Sequence, residues 1–224
     1  MLKQFSSCLL FASFCFTSTA QKNKFSYGFQ TGVIINSASG TAIYNHSKST
    51  LTGFSFGGHL KVQTSNHVAF KVLLSYEQNG WVYRNLYFQD ATGTSPTGLA
   101  LADVYNKLHY LNLPILTEYS FGNKIKFSLD GGIFLGFLVH NKSVIKIKDP
   151  TAPDQSFKSN ARHTINWGVS AGAAVQFPIR HKLKLDFGLR NNFGLANINK
   201  SQDGGNSSIR TNAFSILTGL SFEL

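Results

Sequence analysis

The residues best placed to do chemistry in this sequence are single charges set among apolar neighbours. They are His59, Lys61, Lys71, Glu77, Glu118, Lys126, Asp130, Lys184, Asp186 and Arg190. Lys61 sits between Leu60 and Val62, Lys71 between Phe70 and Val72, and Asp186 between Leu185 and Phe187. In an extended chain successive side chains point to opposite faces, so each charge shares a face with the residues two places away, not with its neighbours. Turned toward a common interior, such charges must pair, because an unpaired ion in a low dielectric is strongly unfavourable. Two outcomes lie open. Lys61, Lys71, Glu77, Glu118, Lys126, Asp130, Lys184, Asp186 and Arg190 form a charge network that plugs an interior, or they line a gated ion path or a proton-linked site.

Hydrolytic chemistry is less well provided for. His109, His140 and His163 lie where strands are expected to end, the place where barrel enzymes keep a histidine beside a serine or an acid. His163 is followed by Thr164, and no serine or acid stands two places along the same strand. A lone histidine there is expected to touch lipid headgroups. The cysteines, Cys8 and Cys15, both fall near the N-terminus, and the chain has neither a glycine-rich phosphate loop nor a metal-ligand cluster. No catalytic, cofactor-binding or metal-binding residue is expected.

These charges are positioned by long alternating segments. The clearest runs from Lys107 to His140, two strands joined at Gly122-Asn123-Lys124. In its second half Ile125, Phe127, Leu129, Ile133, Leu135, Phe137 and Val139 take the odd places, with Lys126, Ser128, Asp130, Gly132 and Gly136 between them. An ordinary strand keeps such alternation for about five or six residues. Here it lasts about fourteen, which fits a tilted crossing of a membrane. Similar segments lie at about 25–37, 53–64, from 68 onward, 163–177, 182–195 and 211–224, making eight in all. The gaps at 65–67, 122–124 and 178–181 are short, whereas those at about 38–52, 83–106, 141–162 and 196–210 are long. Short turns on one side and long loops on the other are the signature of an outer-membrane barrel. An even strand number lets the last strand close on the first, leaving no open edge in the bilayer. The predicted fold is an all-β, eight-stranded, antiparallel, up-and-down transmembrane β-barrel.

The first twenty residues read as a secretory signal peptide: Lys3, an apolar run from Phe5 to Phe16, and a small-residue site at Ser18-Thr19-Ala20. Cleavage is expected after Ala20, leaving one domain over 21–224 without cysteine. The formal charge is +11, yet the basic residues are scattered singly and lack the interleaved aromatics of a nucleic-acid surface. The expected sink for them is anionic lipid, including lipopolysaccharide, at the barrel's rims. Tyr76, Trp81, Tyr83, Tyr87, Phe88 and Tyr110 are expected to form an interfacial aromatic girdle, or else a recognition patch for a partner. Ile145 and Ile147 alternate with lysines, so the fifth strand is expected to rise above the membrane. Pro114 cannot donate to a ladder and predicts a bulge or a gap in pairing near Leu113–Ile115.

The run Tyr110-Leu111-Asn112-Leu113-Pro114-Ile115-Leu116, followed by Glu118-Tyr119, resembles the "YLxIPLLxKY" stretch of the PorT-like outer-membrane β-barrel family of Bacteroidetes. The ending Gly219-Leu220-Ser221-Phe222-Glu223-Leu224 is similar to that family's C-terminal strand. Tyr110, Leu111, Leu113, Pro114 and Tyr119 are the positions that match; Asn112 stands where the family commonly has an acid, and Leu224 replaces its final aromatic. The resemblance implies a barrel in the outer membrane of a Gram-negative bacterium, inserted by the outer-membrane assembly machinery. Some members are tied to protein secretion, so secretion-system proteins are implied partners. It brings no catalytic residue. The expected role is that of a non-enzymatic outer-membrane protein that presents its loops; a lipid-modifying enzyme or a narrow pore are the alternatives.

Overall fold

The computed structural model describes residues 24–41, 48–89, 99–148, 153–158, 162–200 and 208–224. The expected signal peptide with its expected cleavage after Ala20, and residues 90–98 and 201–207, lie outside the described residues. The strands are β1 (Lys24–Ser39), β2 (Lys48–Gln63), β3 (Val68–Gln89), β4 (Leu99–Phe121), β5 (Lys126–Ile147), β6 (Gln155–Phe157), β7 (Ile165–Arg180), β8 (Leu183–Gly194) and β9 (Arg210–Glu223). Neighbours pair antiparallel in the order β4-β3-β2-β1-β9-β8-β7-β5, and a further β4–β5 pairing closes the ring. Eight strands therefore form an up-and-down barrel. The short β6 lies outside the ring and, among the described residues, pairs with Ser143–Ile145 of β5.

The alternation sets the wall. Phe29, Leu60, Leu129 and Ile133 stand on the outer face with more than half of their surface exposed, while Ser55, Ser75, Ser128, Asn166 and Ser215 are buried on the inner one. So broad an apolar exterior is stable only when hydrocarbon covers it. Among the described residues no helix is long and apolar enough to cross a membrane; the strands do the crossing.

Tight turns join β2 to β3, β4 to β5 and β7 to β8. In the first, the Thr64 and Ser65 amides donate to the Val68 carbonyl at 3.0 and 3.1 Å. In the second, Gly122 takes φ +99°, a conformation that glycine adopts without penalty. The strand ends on this side are level. On the other side they are not, since β3, β4 and β5 run for 22, 23 and 22 residues but β8 for only 12. At ~3.3 Å per residue and a tilt near ~40°, the long strands rise ~55 Å and β8 ~30 Å, against an apolar band of ~25 Å. β3–β5 therefore form a tall wall beyond the membrane. Much of the loop expected over 83–106 is strand. The alternation fails there because the chain bulges between Tyr83 and Leu86, around Asn85 at φ 56°. A second bulge, between Thr50 and Ser55, hides the start of β2, which lies before the expected 53.

Pro114 leaves a gap and not a bulge. The β3–β4 ladder skips Pro114 and Leu113 while the register is unchanged on either side, and Pro114 stays paired with Phe134 on β5. The missing N–H faces β3, so only that ladder is interrupted.

Candidate functional site in the barrel lumen

Register alone brings the central charges together. Glu118 stands opposite Asp130 on β4 and β5, Asp130 opposite Gly172 on β7, and Gly172 opposite Arg190 on β8. On the other flank Lys61 stands opposite Lys71. Like charges facing each other destabilise a sheet unless counter-ions intervene, and here each pair neutralises the next. The Lys61 ammonium lies 3.1 Å from Glu118, and Lys71 bridges Glu118 at 3.6 Å and Asp130 at 3.8 Å. The Arg190 guanidinium lies 3.5 Å from Asp130, reaching across the row that Gly172 leaves open. A Cβ at Gly172 would stand 2.6 Å from Asp130 Oδ1. Lys71, Glu118, Asp130 and Arg190 are all buried.

Nearer the outer end, Glu77 is held by neutral donors. Ser75 Oγ donates to it at 3.1 Å and Asn112 Nδ2 at 2.5 Å. Asn192 Nδ2 lies 3.3 Å from both of its carboxylate oxygens. Glu77 is on β3 and Asn192 on β8, four places apart in a ring of eight, so this bond crosses the bore from wall to wall. Toward the level rim, Ser221 Oγ donates to Asp186 and lies 3.4 Å from His59 Nε2. Lys184 pairs with Glu223 at the rim itself. Lys126 lines a hollow of about 140 Å³ there with Lys24, Gln63 and Glu223. Between these layers a cavity of about 30 Å³, lined in part by His59, Lys71, Asp130, Asp186 and Arg190, has room for about one water.

Of the expected network residues, then, Lys61, Lys71, Glu118, Asp130 and Arg190 share one cluster of ion pairs. Glu77 and Asp186 are bound instead by hydroxyls and amides, and Lys184 and Lys126 sit at the mouth.

The expected aromatic girdle needs correction. Trp81 and Tyr110 are fully buried and pack with Ala38, Leu108, Ile198 and Ile209 into an apolar cluster, against which Tyr83 and Leu138 also lie. Trp81 shares the parity of Glu77, and Tyr110 that of Asn112 and Glu118, so alternation turns both inward. Aromatic residue type favours the outer rim, and parity overrides it. Ile198 and Ile209 arrive from outside the ring strands, and no periodic signal announces them. The Ile198 amide donates to the Ile209 carbonyl at 2.9 Å, and the His163 amide donates to the Ile198 carbonyl at 2.9 Å. Above them the Arg162 guanidinium lies 5.0 Å from the centre of the Trp81 ring. Only Tyr87 and Phe88 of that group are broadly exposed, and they stand on the tall wall, beyond the membrane.

His163 lines an open hollow with Thr164, Trp167, Asn197 and Lys200, and no carboxylate lines it. His109 and His140 face outward with ring centres 5.5 Å apart, and the Tyr76 hydroxyl and His109 Nδ1 share a hydrogen bond of 2.5 Å. Of the resembling motif, Tyr110 and Pro114 face inward, while Leu111, Leu113 and Tyr119 face outward.

A closed ring of eight tilted strands with a greasy exterior and a filled polar bore defines an integral outer-membrane β-barrel. The family described as the outer membrane protein beta-barrel domain matches residues 19–200, and the chain belongs to it. Membership implies the outer membrane as its location. Solved barrels of similar layout include Neisserial surface protein A, 15% identical over 88% of this chain and 97% of that one, with a TM-score of 0.45. Others are Ail, the attachment invasion locus protein of Yersinia pestis (10%; 88% and 98%; TM-score 0.42), and OprG from Pseudomonas aeruginosa (8%; 89% and 95%; TM-score 0.42). Likeness at this level speaks to neither ligand nor partner. No curated protein matches the chain.

Proposed function

We propose that this barrel is a closed, non-enzymatic outer-membrane protein that works through the wall it raises above the membrane, as a partner of envelope or protein-secretion machinery. The observation that carries the reading is the Glu77–Asn192 link across the bore. Ion pairs lie on one side of it and the Trp81–Tyr110 cluster on the other, so side chains obstruct the interior at three successive levels. A bore filled in this way leaves the outer surface as the working part. The wall has the build of a docking surface: Tyr87, Phe88 and Phe157 are exposed on it. Cross-strand contacts stiffen it, including Lys148 with Asp103 at 3.8 Å and the Asn85 amide donating to Asp103 Oδ1 at 2.9 Å. The Tyr110–Tyr119 resemblance to PorT-like barrels supports secretion-system proteins as the partner class.

Site-specific photocrosslinking tests the reading. A photoreactive residue at Tyr87 or Phe157, in cells expressing the full chain, is expected to trap a discrete envelope protein, while the same probe at lipid-facing Leu129 traps none. Identical patterns from all three positions would remove the case for a docking wall.

A further inference from the structure

The membrane-facing side of the tall wall carries a pair of cations that no carboxylate among the described residues neutralises. Lys107 on β4 and Lys142 on β5 are directly opposed. Their neighbours Asn106, Leu108, Asn141 and Ser143 are buried inside, and Ser143 Oγ donates to Asn106 Oδ1 at 3.1 Å, so alternation turns both lysines out. One step nearer the membrane, His109 stands opposite His140. His140 faces outward because the chain bulges between His109 and Tyr110, which places Val139 and His140 on the same side. Higher on the wall the lysines have acids: Lys146 lies 3.8 Å from Asp154, and Lys148 lies 3.8 Å from Asp103. Among the described residues no carboxylate pairs with Lys107 or Lys142.

Opposed like charges cost a sheet stability. Here they are kept at one height, where the apolar exterior ends. Below the histidines the outer face of β4 and β5 is continuous hydrocarbon surface: Leu111, Ile115, Leu135, Phe137 and Val139 are all exposed. A molecule that complements this strip carries a compact anion over acyl chains. A soluble anion would use only the upper half of the strip, and a folded acidic protein could not reach the lower half through lipid.

We propose that Lys107 and Lys142, with His109 and His140 beneath them, bind the phosphorylated headgroup of an outer-leaflet lipid whose acyl chains lie along β4 and β5. The two ammonium groups take the phosphate oxygens as charge-assisted hydrogen-bond acceptors. Tyr76, bonded to His109, fixes that ring at the level where headgroup gives way to chain. The lipid supplies the counter-charge that the sheet lacks. This site is separate from the lumen and does not depend on whether the wall docks a protein.

Native mass spectrometry of the folded, full-length barrel in neutral detergent tests the site, with bisphosphorylated lipid A, its dephosphorylated counterpart and inorganic phosphate as probes. The bisphosphorylated lipid is expected to persist as a one-to-one adduct, at least tenfold tighter than the dephosphorylated lipid, and excess inorganic phosphate is expected not to displace it. Lys107→Gln with Lys142→Gln is expected to weaken the adduct about tenfold, while Lys146→Gln leaves it unchanged. Equal retention of the two lipids by the unmutated protein overturns the proposal without recourse to any variant. So does full displacement by inorganic phosphate, which would make this a site for free anions. A folded double variant that keeps the adduct at full strength overturns it as well.

Discussion

The two halves of the lumen are filled by different physics. In the half nearer the level rim, Lys61, Lys71, Glu118, Asp130 and Arg190 fill the bore with ion pairs. In the outer half, Trp81, Tyr110, Ile198 and Ile209 fill it with apolar volume, and Glu77 with its amide donors marks the boundary. A charge network closes a space by mutual dependence, since removing one member leaves a buried ion without its partner. An apolar cluster closes a space by volume, so removing one member leaves a void. The first arrangement is encoded entirely on strands, where register fixes who meets whom. The second borrows Ile198 and Ile209 from the connection between β8 and β9.

That difference can be broken experimentally, beginning with the largest expected effect. Glu118→Gln removes the carboxylate that Lys61 pairs with and one of the two that Lys71 bridges, and is expected to cost about 3–5 kcal/mol in reversible urea unfolding in detergent. A loss under about 1 kcal/mol would mean that the lysines find other partners. Trp81→Ala is expected to cost about 3 kcal/mol by leaving a cavity. The volume is the deciding quantity, so Trp81→Phe should recover most of the loss, whereas a charge-preserving Glu118→Asp should recover only part of its own. Gly172→Ala forces a methyl against Asp130 Oδ1 and the Leu189 carbonyl oxygen, 2.6 and 2.8 Å from its Cβ. Its expected cost is about 1–3 kcal/mol. Smallest is Lys146→Ala on the tall wall. Its pair with Asp154 is more than half exposed on both sides, and the expected change is about 0.5 kcal/mol or less, vanishing in high salt.

The sequence was most legible where the chain is most regular. A period of two gives the eight strands and the inward direction of Lys71, Glu118, Asp130 and Arg190. Register, which the sequence leaves open, is what places Glu118 opposite Asp130 and brings Arg190 across Gly172. Alternation failed as a guide beyond Tyr83 and before Ser55, where bulges break the period, and at Val139 and His140, which face the same way. Trp81 and Tyr110 were legible in principle. Their parity matches Glu77 and Asn112, whereas their aromatic type favours the interface. Ile198 and Ile209 were not legible, because a loop residue has no periodicity to show which way it faces.

Single-channel recording in planar bilayers tests most directly whether the bore is closed. No steady openings are expected from the unmutated barrel, and none from Trp81→Ala, because the ion pairs beneath still fill the lumen. Stable, reproducible openings from the unmutated protein would contradict closure.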